Sequence, residues 1–208
     1  MGHCDINTWL IDGKCFKYYH NLMYDFVHIP KTGGLWFKDF IRSHPELNIR
    51  EKGFHGAKLY DSEYPVLFAV RDPIDRFLSA TRMRWLNFRL DDIANHIDYF
   101  IENAENEMTA LYQPVTKYLG DIETFKQHES NIAHAFDFHS LGTSVSEVFP
   151  TARAHANVVI NHTEDSPYYS VRENNLSEYH TDFIKQFYAE DYKLIEYIRS
   201  RPYYITAR

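Results

Sequence analysis

The stretch YDFVHIPKTGGLWFKDFI, Tyr24 to Ile41, decides the fold. A short apolar run (Phe26, Val27, Ile29) meets the turn Pro30-Lys31-Thr32-Gly33-Gly34. Beyond it Trp36, Phe37, Phe40 and Ile41 recur at the i, i+3, i+4 offsets of one helix face. The pattern predicts a strand, an anion-binding loop and a helix. A helix N-terminus offers unpaired backbone N–H groups and the positive end of the helix dipole, and the two glycines let a ligand approach the main chain closely. Lys31 adds a mobile positive charge. It precedes the glycines, whereas the lysine of G-x-x-x-x-G-K-[ST] follows them, so this is not a Walker A loop.

A second stretch, VLFAVRDPIDRFLS from Val66 to Ser79, has the same grammar. Val66, Leu67, Phe68 and Val70 read as a buried strand, Arg71-Asp72-Pro73 as a turn, and the remainder as a helix whose first turn accepts Pro73 without losing a hydrogen bond. Arg76 and Ser79 lie three apart on one face of that helix. In an open α/β sheet, ligands lie outside the carboxyl ends of the strands. Arg71 and the Lys31 loop therefore face one crevice if the two strands are parallel neighbours.

HIPKTGG (His28 to Gly34) followed by VRDPIDRFLS (Val70 to Ser79) resembles the paired signature of sulfotransferases that use 3′-phosphoadenosine 5′-phosphosulfate (PAPS), and among these the carbohydrate, Golgi-type branch. A weaker likeness continues through Asn161-His162-Thr163 and FYAEDYKLIEYI, Phe187 to Ile198. The resemblance implies that Lys31, Thr32, Gly33 and Gly34, with the backbone N–H groups through Leu35 and Trp36, hold the 5′-phosphosulfate. It implies that Arg71 and Ser79 hold the 3′-phosphate, and that Asn161 and Thr163 contact the donor. Lys31 would be catalytic, neutralising charge on the departing phosphate. His55-Gly56 resembles an HG-containing stretch of some carbohydrate sulfotransferases, which gives His55 the role of the base that takes the acceptor proton. Family members carry Thr or Ser directly after the glycines. Leu35-Trp36 stands there instead, with Trp36 expected to pack inward.

At 208 residues and 44% hydrophobic, the chain reads as a single domain spanning 1–208, large enough for a substantial core, with 1–23 as an N-terminal extension of irregular or short structure packed on it. A net charge of −7 argues against a general nucleic-acid binder and gives no overall attraction to polyanions. With the 16 Tyr and 15 Phe, that favours a neutral sugar, a lipid headgroup or a small phenol over a polyanion as acceptor. Cys4 and Cys15 are the two cysteines, which makes neither a disulfide framework nor a metal-ligand spacing, and no metal is expected. No run has the length of a membrane span and the N-terminus lacks the order of a secretory signal. The Golgi members of the family carry a membrane anchor; the expectation here is a soluble, cytoplasmic protein.

The rest of the chain fills out an α/β fold of P-loop type, a central mainly parallel sheet flanked by helices. Leu47 to Lys52 reads as a second strand, and Asp75 to Ala104 as helical, with Arg82, Arg84 and Arg89 making it locally basic. Between 105 and 157 the pattern gives a helix interrupted near Pro114 and ended by Gly120, then a loop and a short helix. Asn157 to Ile160 reads as a last strand. A long C-terminal helix follows from Leu176 to Ser200, with Asn175 and Glu178 at capping-box spacing.

Two other functions fit parts of the pattern. A magnesium-dependent P-loop kinase or NTPase would use Asp72 as a metal-binding acid, and a non-catalytic nucleotide-binding protein would need only the two loops. Magnesium dependence and turnover separate the three.

Overall fold

The computed structural model describes residues 8–11, 14–17, 23–53, 56–88, 93–103, 110–158 and 176–206. Its centre is a five-stranded parallel sheet formed by β3 (Tyr24–Phe26), β4 (Ile49–Glu51), β5 (Val66–Val70), β6 (Ile132–Asp137) and β7 (Tyr204–Ile205). The spatial order is β4-β3-β5-β6-β7, and every neighbouring pair is parallel. This is one of the two common doubly wound orders, in which the chain reverses direction across the sheet between its first strand and its third. Here those strands are β3 and β5, the two that precede the Lys31 loop and Arg71. Their ladder runs on past β3 through the Val27 N–H, which donates to Leu67 O at 2.9 Å.

A parallel sheet is covered on both faces, so its strands are apolar on both. All five residues of β5 are buried. Val66, Phe68 and Val70 point to one face, beneath α4 (Thr116–Leu119), α5 (Ile122–His128) and α8 (Ala189–Arg199), which supply Leu119, Phe125, Leu194 and Ile198. Leu67 and Ala69 point to the other, beneath Phe37 and Phe40 of α1 (Gly34–Ser43) and Val145 of α6 (Leu141–Val148). A separate cluster joins α2 (Pro73–Phe88), α3 (Ile93–Asn103) and α7 (Glu178–Phe187) through Phe77, Phe100 and Ile184.

The expected long C-terminal helix is two helices. α7 packs on α2 and α3, whereas α8 packs on α4 and α5. The chain changes direction at Tyr188 (φ −104°, ψ 26°) to serve both, and the inward stripe of Ile184, Tyr188, Asp191 and Ile195 hides the break because it keeps helical spacing across it. Ser177 caps α7, accepting from the His180 N–H at 3.1 Å; Asn175 lies outside the described residues. Of the expected strand from Asn157 to Ile160, Asn157 and Val158 form a turn and an irregular residue and Val159 and Ile160 lie outside the described residues; the last described strand is β7, next to a β6 that sequence periodicity did not reveal. The N-terminal extension contains an antiparallel pair, β1 (Thr8–Ile11) with β2 (Lys14–Lys17), where irregular or short structure was expected without a strand assignment. Asp12-Gly13, a dipeptide favoured in two-residue hairpin loops, stands between them in sequence and was the available signal.

Among the described residues, no helix is long and apolar enough to cross a membrane.

Candidate functional site

Three parallel strands deliver their carboxyl ends to one place. β3 leads into the Lys31 loop, β5 directly into Arg71, and β6 into Phe138 and His139. Arg71 Nη1 donates to the Lys31 carbonyl at 3.1 Å, which ties the two sequence motifs together. Lys31 itself has a left-handed backbone (φ 65°), a conformation that costs a non-glycine residue energy and persists where surrounding contacts enforce it. Arg71 supplies one such contact.

Gly33 is left-handed as well (φ 90°) and is the N-cap of α1. A Cβ there would lie 2.5 Å from Leu141 Cδ2, and one at Gly34 would lie 1.7 Å from His28 Nε2. The protein's own packing thus demands both glycines, a requirement distinct from room for a ligand. His28 is buried beneath the loop, 3.6 Å from the Glu51 carboxylate, which also pairs with Lys38 at 2.9 Å. The Thr32 hydroxyl donates to Ile29 O at 2.8 Å and is fully buried, so its side chain braces the turn. Trp36 packs inward as expected: its ring stacks on Phe40 with centroids 5.4 Å apart and its Nε1 donates to Val158 O at 3.0 Å. Leu35 does not, standing 46% exposed beside the loop.

The two helices that start in this crevice begin differently. Asp72 Oδ1 accepts from the N–H groups of Ile74 (2.9 Å) and Asp75 (3.3 Å), so α2 carries its own anion. α1 has no side-chain cap and no acidic residue in its first turn. Its leading N–H groups and positive dipole end are left for an external acceptor.

The side chains above that helix end are cationic. Burial first, and then the nearby charges of Arg71 and Arg82, lower the Lys31 ammonium to about 8. Its Nζ reaches Met83 Sδ at 3.4 Å. Arg71 is 8% exposed, donates from Nε to Asp75 Oδ2 at 2.6 Å, and lies over the Phe138 ring with its Cζ 3.9 Å from the centroid. Burial raises the Asp75 carboxyl, but the hydrogen bond and charge of Arg71, with His139 and Arg82 behind it, outweigh this and hold it below the usual carboxylate range. Arg71 and Arg82 act on this one carboxylate, and Lys31 stands beside both arginines, an arrangement that accepts a polyanionic ligand.

Ser79 is half-buried on α2, while Arg76, expected on the same face, is fully buried in the core. His55, Asn161 and Thr163 lie outside the described residues. Asp75, Phe138 and His139 belong to the crevice and were missed. The i, i+4 offset from Arg71 would have found Asp75, and Phe138-His139 would have followed from recognising β6, since residues just beyond any parallel strand reach the ligand side of the sheet. Among the described residues no group of three or more His, Cys, Asp or Glu side chains is placed to hold a metal ion.

Comparison with known protein families, curated proteins and solved structures returned no match to this chain.

Proposed function

We propose that the chain is a sulfotransferase that moves a sulfuryl group from PAPS to a hydroxyl of a carbohydrate or another small alcohol. The observation that carries this is the junction of the two motifs, with Arg71 bonded to the Lys31 carbonyl beside an uncapped helix N-terminus. One motif alone binds a phosphate; two joined at neighbouring strand ends suit a nucleotide with phosphates at two positions. Lys31, the Thr32 backbone and the N–H groups from Gly33 to Trp36 take the 5′-phosphosulfate, and Arg71 with Ser79 takes the 3′-phosphate.

The acceptor oxygen attacks sulfur in line, the bond from sulfur to the 5′-phosphate oxygen breaks, and the acceptor proton passes to His55. Lys31 stabilises the charge that develops on the departing oxygen. An ammonium lowered to about 8 is still mostly charged at neutral pH and is drawn to that oxygen because its own surroundings solvate it poorly. Asp72 would be the metal-binding acid of a kinase, but its carboxylate is already engaged as the cap of α2.

The test is calorimetric titration of the wild-type protein with 3′-phosphoadenosine 5′-phosphate (PAP), and separately with ATP and magnesium. Metal-independent binding of PAP, with ATP-magnesium weak, is the expected result. Tight ATP-magnesium binding with no response to PAP would overturn the proposal in favour of a kinase or NTPase.

A further inference from the structure

The end of β6 carries a group that neither motif includes. His139 Nε2 lies 3.3 Å from Asp75 Oδ2, the same oxygen that accepts from Arg71 Nε at 2.6 Å. The imidazole is 60% exposed, so it stands at the mouth of the crevice with the carboxylate behind it. Its backbone is fixed: Asp137 Oδ1 accepts from the His139 N–H at 3.0 Å. Its neighbour Phe138 lies under the Arg71 guanidinium, and Phe138 ring carbons come within 3.4 and 3.6 Å of the Cβ position of Gly33. The β6 end thus sits between the two motifs and touches both.

We propose that His139 is a second ligand for the phosphate held by Arg71, with Asp75 bridging the two side chains. The inference rests on the PAPS reading, and it names the 3′-phosphate as the group bound. Asp75 alone would repel a phosphate. The Asp75 oxygen is shared between the Arg71 guanidinium and the His139 ring, and an imidazole that carries protons on both nitrogens keeps a second N–H to donate outward. Asp137 faces the backbone of His139, and Arg82 and Lys31 add further positive charge behind Arg71. The signal is absent from the two motifs because it depends on a strand, β6, brought beside β5 by the fold.

Calorimetric titrations with PAP and with 5′-AMP, which lacks the 3′-phosphate, test this on wild type, Arg71→Ala, His139→Gln and His139→Arg. His139 is exposed, so both of its variants fold. His139→Gln should lose about tenfold in PAP affinity, the scale of one hydrogen bond to a charged group, with 5′-AMP unchanged. His139→Arg, which keeps the charge, should restore most of it. PAP affinity within twofold of wild type in His139→Gln, equal losses for both nucleotides, or failure of His139→Arg to recover would overturn the role of His139. If Arg71→Ala still loses its preference for PAP, the donor site survives that result. Wild type that binds PAP and 5′-AMP equally would remove the donor reading and this inference with it.

Discussion

Arg71 and Arg76 belong to the same short segment and each pairs with an aspartate, yet one pair serves the core and the other the crevice. Arg76 and Asp191 are fully buried, 3.6 Å apart, and surrounded by their own partners. Arg76 donates to Gln113 O at 2.8 Å and lies over the Tyr188 ring, while Asp191 accepts from the N–H groups of Val115 (2.7 Å) and Thr116 (3.1 Å). The pair joins α2, the turn before α4, and α8. Arg71 and Asp75 form a closer contact, but Asp75 is 31% exposed and further cations crowd around it. The difference teaches how to tell an ion pair that ties the fold together from one placed to meet a ligand. The first is sealed in the core between three elements, and the second leaves a surplus of one sign facing outward.

The comparison predicts separable effects, beginning with the largest on stability. Asp191→Ala strands a buried guanidinium and orphans two backbone N–H groups, so urea unfolding should show a loss of roughly 3–5 kcal/mol. A loss below about 1 kcal/mol would mean that the core pair is not structural.

His134 extends the buried side of the contrast to the sheet itself, with its Nδ1 enclosed and without a hydrogen-bond partner. It is buried in β6, and burial lowers its imidazole to about 4. The unfolded chain protonates this group near its ordinary value and the folded chain does not, so the unfolded state binds more protons between about pH 6.5 and 4. Stability is therefore lost as pH falls through that window, by roughly 3 kcal/mol at its lower end. His134→Leu should remove that part of the pH dependence in parallel urea titrations; an unchanged acid slope would contradict it.

Gly34 belongs to the crevice by position but to the core by packing. Gly34→Ala drives a methyl into the His28 ring and should cost about 1–3 kcal/mol in urea unfolding. A neutral Gly34→Ala would show that the loop has space the structure does not give it.

The sheet's first and third strands were legible in the sequence because each is an apolar run ended by Pro, Gly or a charge, and the crossover between them follows from the topology of doubly wound sheets. β6 was not: His134 interrupts its apolar run, and both of its faces are buried, so no alternation marks it. The two anion motifs were legible as local patterns, since loop and helix N-terminus are contiguous in the chain. Their neighbours were not, because Phe138 and His139 reach the crevice only through strand pairing, and the break at Tyr188 arises from two packing partners that periodicity does not encode.

The smallest expected effect on stability falls on Arg71→Ala, at about 1 kcal/mol, because its partner Asp75 stays hydrated when the guanidinium is removed. That makes the variant the most direct test that the two motifs form one nucleotide site. The ratio of PAP to 5′-AMP affinity, measured by calorimetry in wild type, Arg71→Ala and Lys31→Ala, separates the two halves of the crevice. The expected result is a wild-type preference for PAP that falls about tenfold or more in Arg71→Ala, while Lys31→Ala weakens both nucleotides alike; a hydrogen bond to a charged group is worth about 1.5–3 kcal/mol. A preference for PAP that is unchanged in Arg71→Ala would contradict the assignment of Arg71 to the 3′-phosphate.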